Sequence, residues 1–334
     1  MENKMKVVVV TDAWLPQVNG VVTTLSNIMK NLPEHEFTVI DPSQFKTISA
    51  PKYPELKLAY NPWQLKTKLD ALEFDAIHIA TEGPLGLFAR NYCESRYVNY
   101  TTSYHTDWPN FINKFYGIPR SWTMRWMKLI HRNAKRILAT THSMKKELEQ
   151  AGLQNLVVWG RGVDQSIFTD EVKIKRGKKP LLISVNRVSF EKNIEAFCEL
   201  STNTEWDCVV VGDGPARTSL EKKYPNVEFV GYKHGKELAK WYAGADVKVF
   251  PSRVDTFGLV MIEAMSCGTP VAGFPCRGPV DVIDQGVTGY MHESLEVAVQ
   301  QCLKLDTDTI KHTAKQKFTW PKCAEIFVNN LIKL

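Results

Sequence analysis

Two acidic residues, Asp255 and Glu263, lie eight positions apart where a loop leads into a predicted helix. The loop follows a predicted strand that ends at Phe250, and Gly258 precedes the helix. A glycine allows close backbone approach, and the N–H groups and dipole of a helix start favour an anion such as a diphosphate. The loop carboxylate could then accept hydrogen bonds from a sugar, and the helical carboxylate from a ribose. A helix-capping acid followed by a surface glutamate would give the same pattern.

Two basic residues, Arg187 and Lys192, lie five positions apart after the first predicted strand of the second half of the chain. Across a turn, both could reach one phosphate group, the arginine through its planar fork and the lysine as a point charge. Solvated basic residues on a loop are the common alternative for an isolated pair of this kind.

Glycines follow or precede several predicted elements in ways that could admit a ligand. Gly212 and Gly214 form a strand-then-glycine turn, and Gly231 follows the next strand. Gly20 lies between the first strand and the first helix, where it could let backbone amides approach a phosphate. A G-x-G turn is weak evidence by itself, because most such turns only connect elements.

The first half offers a histidine and a basic helix. His105 follows a predicted strand, where a single histidine is more often structural than catalytic. Residues 120–136 mix basic side chains with Trp and Met at helical spacing. Such a helix could lie on an anionic membrane or contact nucleic acid. It could equally be an ordinary amphipathic helix whose Trp and Met side chains face the core.

The sequence predicts neither a metal site nor a disulfide framework. Asp306 and Asp308 have D-x-D spacing, but they separate two helical stretches, so we interpret them as helix-capping residues. The seven cysteines are scattered, odd in number and without a C-x-x-C pair. They are therefore expected to be reduced thiols in the core.

Strands alternate with helices along most of the chain, which predicts an α/β fold with parallel sheets and right-handed crossovers. The Lys-rich stretch 171–180 has little apolar content and is interpreted as a linker. We therefore expect a first domain over residues 1–170 and a second over residues 171–319. Two doubly wound domains of this kind would face each other across a cleft, which is the default place for a ligand.

Composition fits two globular domains and sets limits on location. The chain has 334 residues, of which 44% are hydrophobic and 23% charged. Its net charge is +6, with the basic excess in the first half, which favours an anionic partner without naming it. No apolar run approaches the roughly 20 residues of a membrane-spanning helix, and the run 7–10 is too short for a signal-peptide core. A cytoplasmic protein is expected.

The segment 250–270 closely resembles the E-x7-E signature of glycosyltransferase family 4, in which the fold is GT-B, with two Rossmann-like domains. Asp255 stands where many members have glutamate. The D-T-F-G-L-V version is similar to the branch of GDP-mannose-dependent α-mannosyltransferases and sulfoquinovosyl-diacylglycerol synthases. Residues 184–193 resemble the family's G-R-L-x-x-E-K-x pattern, with Asn186 in place of glycine.

Further blocks in the same order extend the resemblance over nearly the whole chain. Residues 211–215 resemble the family's G-x-G-P turn, and residues 14–23 resemble its P-x-x-x-G-V loop. Residues 318–320 and the following tail resemble a terminal helix that crosses back onto the first domain. The resemblance therefore implies that residues 320–334 belong with residues 1–170.

The family pattern implies a role for each matching position. The implied catalytic residues are His105, Arg187, Lys192 and Asp255. The implied donor-binding residues are Gly20, Gly212, Gly214, Gly231, Thr256, Phe257, Gly258, Leu259 and Glu263. The residues expected on the acceptor side are Glu82, Tyr104, Asp107, Arg120, Trp122, Arg125 and Trp126.

The resemblance implies a retaining glycosyltransferase that needs no bound metal or other cofactor and uses a GDP- or UDP-linked sugar as cosubstrate. A lipid headgroup or a membrane-linked glycan is the first expected acceptor, with peripheral contact at the inner membrane face. A hydroxymethylated base in DNA is an alternative, because viral enzymes of that kind also have GT-B folds, and a small soluble acceptor is another. A non-catalytic module that binds anionic lipid or nucleic acid is opposed by the four charged residues Arg187, Lys192, Asp255 and Glu263.

Overall fold

The computed structural model describes residues 4–17, 19–50, 53–174 and 177–334. Val18 of the first loop and residues 175–176 of the predicted linker lie outside the described residues. The chain divides into two compact units, one formed by Met1–Arg161 with Trp320–Leu334 and the other by Gly162–Thr319. Each unit contains a six-stranded parallel sheet, which confirms the predicted α/β class.

The sheet of the first unit is built around a run of valines. The strands are β1 (Lys6–Val10), β2 (Glu36–Ile40), β3 (Thr47–Ala50), β4 (Tyr53–Ala59), β5 (Ala76–Ile79), β6 (Thr101–Tyr104), β7 (Arg136–Ala139) and β8 (Leu156–Val158). Six of them pair in the order β2-β1-β5-β6-β7-β8, while β3 and β4 form a separate antiparallel ribbon. Val8 of β1 lies opposite Thr38 on one side and Ile77 on the other. The run is apolar throughout because helices cover both faces of a parallel sheet.

The second unit repeats this architecture. Its strands are β9 (Leu181–Val185), β10 (Asp207–Val211), β11 (Val227–Phe229), β12 (Val247–Phe250), β13 (Val271–Gly273) and β14 (Gly289–Met291). They pair in the order β11-β10-β9-β12-β13-β14, all parallel. Two apolar cores lie against this sheet. One contains Ile183 and Phe250, and the other contains Leu182 and Val249, so successive residues of a strand enter opposite cores.

Helices connect the strands in both units. In the first unit they are α1 (Gly20–Lys30), α2 (Leu65–Asp70), α3 (Pro84–Ser95), α4 (Trp108–Tyr116), α5 (Arg120–His131) and α6 (His142–Gln150). In the second they are α7 (Ile194–Cys198), α8 (Arg217–Lys223), α9 (Gly235–Gly244), α10 (Leu259–Ser266), α11 (Pro279–Val282), α12 (Leu295–Cys302) and α13 (Thr307–Lys317). The last helix, α14 (Trp320–Asn329), returns to the first unit. There the Phe327 ring lies 4.9 Å from that of His78 and 5.5 Å from that of Trp159.

The division between the units falls after Arg161, whereas the sequence predicted a first domain that runs to residue 170. The physical reason is that residues 162–170 pack within the second unit. The Val163 N–H donates to the carbonyl of Phe318, and the carbonyl of Phe168 accepts a hydrogen bond from Ser266. The Val163 side chain lies in the core of that unit, and the Phe168 ring packs against it.

Candidate active site

The winding of the second sheet reverses at β9. The next strand in the chain, β10, pairs on one side of β9, whereas β12 pairs on the other. In doubly wound sheets, ligands bind beyond the carboxyl ends of the strands at such a switch point. The loops that leave β9 and β12 there are residues 186–193 and 251–258. These loops carry the basic pair and the first acid that the sequence indicated.

Lys192 and Asp255 form an ion pair between the two loops, in which the Lys192 Nζ donates to the Asp255 Oδ1. Only 24% and 20% of the two side chains are exposed. Burial alone would raise the pKa of Asp255, but the ammonium of Lys192, with smaller effects from Ser252 and Lys248, holds this pKa below its usual value. The switch point therefore carries a fixed cation beside a fixed carboxylate.

A second contact ties the same loops together. The Asn193 Nδ2 donates to the carbonyl of Pro251 at 3.1 Å. Asn193 has a left-handed backbone with φ of 54°, which ends the short 3₁₀ turn Phe190–Lys192 and turns the chain into α7. Arg187 lies half-buried earlier in this loop. The two loops thus bring Lys192 and Asp255 together, and Arg187 lies on the same loop as Lys192.

The glycine turn after β10 gives the β9 loop its shape. A Cβ on Gly212 would lie 1.9 Å from the carbonyl oxygen of Asn186, and one on Gly214 would lie 2.4 Å from that of Val188. Main-chain hydrogen bonds hold this approach: the Val188 N–H donates to the carbonyl of Asp213 at 2.9 Å, and the Gly212 N–H donates to that of Gly231 at 2.9 Å. Gly212 and Gly214 therefore let the turn after β10 pack closely against the β9 loop that carries Arg187, and Gly231 supports that turn.

The start of α10 lies at the end of the β12 loop. Gly258 is its N-cap, with φ of 88°, and an added Cβ would lie 3.0 Å from the Phe250 ring. Thr256 is half-buried, whereas Phe257 has its ring in the core, edge-on to Phe318 at 6.2 Å. Leu259 packs against the same core. A ligand at this helix start would consequently meet backbone groups rather than the Phe257 ring.

Glu263, the second acid, is half-buried on α10 and is joined to α9. The Tyr242 hydroxyl donates to the Glu263 Oε2 at 3.0 Å. Burial raises the pKa of Glu263 to about 7, although the Tyr242 hydrogen bond and the charge of Lys248 act in the opposite direction. Near neutral pH this carboxyl therefore changes between an acceptor and a donor of hydrogen bonds. Tyr242 and Lys248 are absent from the sequence-based predictions, and a lysine inside the apolar run of β12 was the available clue.

Gly20 is the first residue of α1, and the preceding side chain occupies the amides that follow it. The Asn19 Oδ1 accepts from the N–H groups of Val21 and Val22, at 3.0 and 3.1 Å. A side-chain cap of this kind satisfies the free N–H groups of a helix start. In this structure these two amides are therefore bound to the protein itself.

His105 is a buried, neutral imidazole at the end of β6. The Arg161 Nη2 lies 2.8 Å from its Nδ1, and the His105 ring lies edge-on to Trp159 at 5.5 Å. Because a guanidinium only donates, Nδ1 accepts and the proton resides on Nε2. Burial, and then the charge of Arg161, hold the pKa of His105 well below its usual value. Arg161 was not predicted as a site residue, although it begins the R-G-V-D block before the second unit.

Three residues expected on the acceptor side are internal to the first unit. Glu82 is only 4% exposed, and its carboxylate contacts the His131 Nε2 at 3.3 Å and the Trp108 Nε1 at 3.2 Å. Tyr104 is 1% exposed, and Asp107 caps α4 by accepting from the Asn110 N–H. In this structure all three support the unit, because positions after strands serve packing and capping as readily as binding.

The other acceptor-side residues lie on α5, which presents aromatic and basic groups outward. Trp122 is 67% exposed and Trp126 is 39% exposed, and the Trp126 Nε1 donates to the carbonyl of Glu82 at 3.2 Å. Arg125 is exposed, and Arg120 pairs with Glu147 of α6. Only part of the helix, Met127 among others, faces the core as an ordinary amphipathic helix would. Within the described ranges, no helix combines the length and apolar character needed to cross a bilayer.

The D-x-D segment acts as a helix cap, as predicted. The Asp306 carboxylate accepts from the Thr309 N–H at 2.8 Å and begins α13. Among the residues that the structure describes, no three His, Cys, Asp or Glu side chains are grouped as metal ligands would be. The cysteines are free thiols, six buried and Cys276 half-buried.

Comparison with known proteins identifies the family. The family model for glycosyltransferase family 4 matches residues 18–166, and that for glycosyl transferases group 1 matches residues 166–305. A GDP-mannose-dependent alpha-mannosyltransferase from Mycobacterium tuberculosis is 30% identical over 318 residues, covering 86% of this chain and 83% of the relative. The chain belongs to glycosyltransferase family 4. A protein of the same description from Corynebacterium glutamicum is 28% identical over 317 residues, covering 86% of this chain and 76% of that one.

A solved structure supports the fold of this family 4 glycosyltransferase. Anabaena HepE in complex with UDP and glucose matches with a TM-score of 0.74, at 17% identity, over 97% of this chain and 98% of the other. The GT-B class and the family implied by the sequence are therefore confirmed. The roles of individual residues in this glycosyltransferase remain predictions.

Proposed function

We propose that this glycosyltransferase moves a sugar from a nucleoside diphosphate to a hydroxyl group with retention of anomeric configuration. The observation that carries the proposal is the Lys192–Asp255 ion pair at the switch point of the second unit. A nucleotide sugar needs positive charge for its diphosphate and hydrogen-bond acceptors for its sugar hydroxyls. This pair offers one of each, with Lys192 on the β9 loop and Asp255 on the loop that leads to the start of α10.

Each charged group then has a defined task. Lys192 and Arg187, with the N–H groups at the start of α10, stabilise the negative charge that develops on the departing diphosphate. Asp255 accepts hydrogen bonds from sugar hydroxyls, and ionised Glu263 accepts them from the ribose. The catalytic role that the family resemblance implies for His105 of the first unit stays a prediction.

The reaction breaks the bond between the anomeric carbon and the phosphate oxygen. The acceptor oxygen attaches to the anomeric carbon on the face that the diphosphate leaves, which retains the configuration. The departing phosphate oxygen takes the proton of the acceptor hydroxyl, so the products are a glycoside and a nucleoside diphosphate. No residue of the chain forms a covalent intermediate in this scheme.

GDP-mannose is the donor that we propose first, because two similar relatives are named GDP-mannose-dependent mannosyltransferases. UDP-glucose is second, because the HepE structure of the same fold holds UDP and glucose. A panel of GDP- and UDP-sugars, measured by thermal shift, decides between them. At a hundred times its dissociation constant the correct donor should raise the unfolding midpoint by about 5 °C or more. If no nucleotide sugar binds, the transferase proposal fails.

A lipid headgroup or membrane-linked glycan is the acceptor class that we propose, with the chain held at the inner membrane face. The support is α5, where Trp122 is 67% exposed beside the exposed Arg125. An aromatic ring enters the interfacial layer of a bilayer while arginine contacts anionic headgroups. A hydroxymethylated base in DNA fits the same mixture of groups and is an outcome of the test below.

Trp122→Ser should weaken binding to vesicles that contain anionic phospholipid by about tenfold, because a tryptophan at the interface contributes apolar area that serine lacks. Trp63→Ser is the matched control, because Trp63 is 58% exposed on the same unit but lies outside α5. Sedimentation with vesicles measures the binding. Equal losses in both variants, or tighter binding to hydroxymethylated DNA than to vesicles, would reject the lipid acceptor.

A further inference from the structure

Lys248 is a charged residue in the centre of an apolar sheet. It is the second residue of β12, lies opposite Ile183 of β9 and Val271 of β13, and is completely buried. Its neighbours along the strand, Val247 and Val249, enter the core on the opposite face. Lysine is almost never buried completely unless its charge is compensated, because an ammonium loses its hydration.

The ammonium of Lys248 has two partners on its own strand. The Nζ donates to the carbonyl of Val249 at 3.0 Å and lies 4.7 Å from the centre of the Phe250 ring. Neither partner carries a formal charge. Compensation for the buried ammonium must therefore come from groups on the elements packed against this face of β12.

Three charged groups act on Lys248 from those elements, and a neutral group, Tyr242, contacts one of them. Glu263 on α10 and Asp255 on the β12 loop attract the ammonium, and Lys192 on the β9 loop repels it. Tyr242 on α9 donates its hydroxyl to Glu263, and burial keeps the pKa of this tyrosine well above its usual value, so it stays neutral. With both lysines and both acids ionised, the cluster holds two positive and two negative charges.

The charged groups of this cluster shift one another's pKa. Burial lowers the pKa of Lys248 to about 7, and the two carboxylates oppose that change. The charge of Lys248 in turn lowers the pKa of Glu263 and that of Asp255. Asp255 has Lys192 as a direct partner, whereas Lys248 is the one cation acting on Glu263 among these groups. Glu263 is therefore the acid that depends most on Lys248.

We propose that Lys248 is a positioning residue of the donor site, whose positive charge favours the ionised form of Glu263, so that its carboxylate accepts hydrogen bonds from the ribose of the donor. The inference rests on the proposed function and adds a residue to it. Complete burial keeps the Lys248 Nζ from the donor, so it acts through Glu263 and, more weakly, through Asp255. The family pattern carried over to this sequence contains no role for position 248.

Replacement of Lys248 by methionine should make donor binding depend on pH in a defined way. Without the cation the pKa of Glu263 rises further above its usual value, so less of the carboxyl is ionised at pH 7. Loss of a neighbouring opposite charge raises the pKa of a carboxyl by about one unit or more. Donor affinity should then fall about tenfold at pH 7 and return toward the wild-type value at about pH 9.

Calorimetric titration with GDP-mannose and UDP-glucose at pH 6 to 9 tests this on wild type, Lys248→Met, Glu263→Gln and the double variant. In the Glu263→Gln background, Lys248→Met should change donor affinity less than about twofold, because the group that Lys248 acts upon no longer ionises. Exposed Lys222→Met on α8 is the control for loss of a positive charge. Lys248→Leu repeats the test with a shorter apolar side chain if methionine prevents folding.

The possible outcomes separate this inference from the proposed function. If the wild type binds a donor and Lys248→Met follows the same pH profile, Lys248 has no positioning role. An equal loss of affinity with and without the Glu263 carboxylate would also reject it, because that result indicates a general structural effect. If the wild type binds no nucleotide sugar at any pH, the proposed function fails instead.

Discussion

Lys192→Ala should lower kcat/KM for the nucleotide sugar by about 100- to 1000-fold, the range found when a preorganised group that stabilises developing charge is removed. Two effects act together. The departing diphosphate loses one of its two proposed cations, and the Asp255 carboxylate loses the ammonium that contributes most to lowering its pKa. The unpaired carboxylate then repels the diphosphate or takes up a proton, and in either form it serves the donor less well.

Release of the nucleoside diphosphate at subsaturating donor measures this effect. Lys222→Ala is the control, because Lys222 is an exposed lysine of the same unit on α8. Lys192→Arg should recover part of the activity, since the charge returns with a different geometry. A Lys192→Ala enzyme within fivefold of the wild type would show that the ion pair only joins the two loops.

Gly212→Ala should destabilise the second unit by about 3 kcal/mol or more, which places it among the severe single substitutions. The new Cβ would lie 1.9 Å from the Asn186 carbonyl oxygen, and both partners are main chain, so no side chain can rotate away. Its φ of 144° adds backbone strain for any residue other than glycine. Relief requires the β9 loop, with Arg187, to move away from the β10 turn.

Thermal unfolding should report this loss as a fall of about 6–12 °C in the midpoint of the second unit. Gly286→Ala is the matched control, because Gly286 also has a positive φ, 77°, but an added Cβ meets no atom within 4 Å. That control should lose only about 1–2 kcal/mol from the left-handed backbone. Equal losses in the two variants would mean that steric contact with Asn186 contributes nothing.

Much of the fold follows from periodicity and turn chemistry. The valine run of β1 and the alternating order of strands and helices predict parallel sheets, because such strands are buried on both faces. The antiparallel ribbon of β3 and β4 was not predicted, and the prolines at 51 and 54 obscure a strand pattern there. The boundary at Arg161 was also missed, since the packing of Phe168 depends on tertiary contacts.

The sequence predicted which residues form the candidate site, but it did not predict the contacts between them. Asp255, Glu263, Arg187 and Lys192 follow from charge, glycine placement and family resemblance, yet the Lys192–Asp255 pair joins loops 63 positions apart. Lys248 escaped prediction because a single lysine in a strand is usually solvated, and complete burial becomes visible only when the sheet is assembled. The contact of Glu82 with His131 was not predicted, because a carboxylate after a strand gives no sign of an internal partner.

The interlocked loops at β9 and β10 have a consequence for engineering the donor preference. Their mutual support comes from main-chain atoms, with the N–H groups of Asn186, Val188 and Ala216 bonded to carbonyls of the facing loop. The path of the β9 loop is therefore largely independent of its outward side chains. Phe190, which is 74% exposed, can be varied in a library without changing the scaffold that carries Lys192. As long as Gly212 and Gly214 are kept, outward side chains of this loop can be exchanged while Arg187 and Lys192 stay in place.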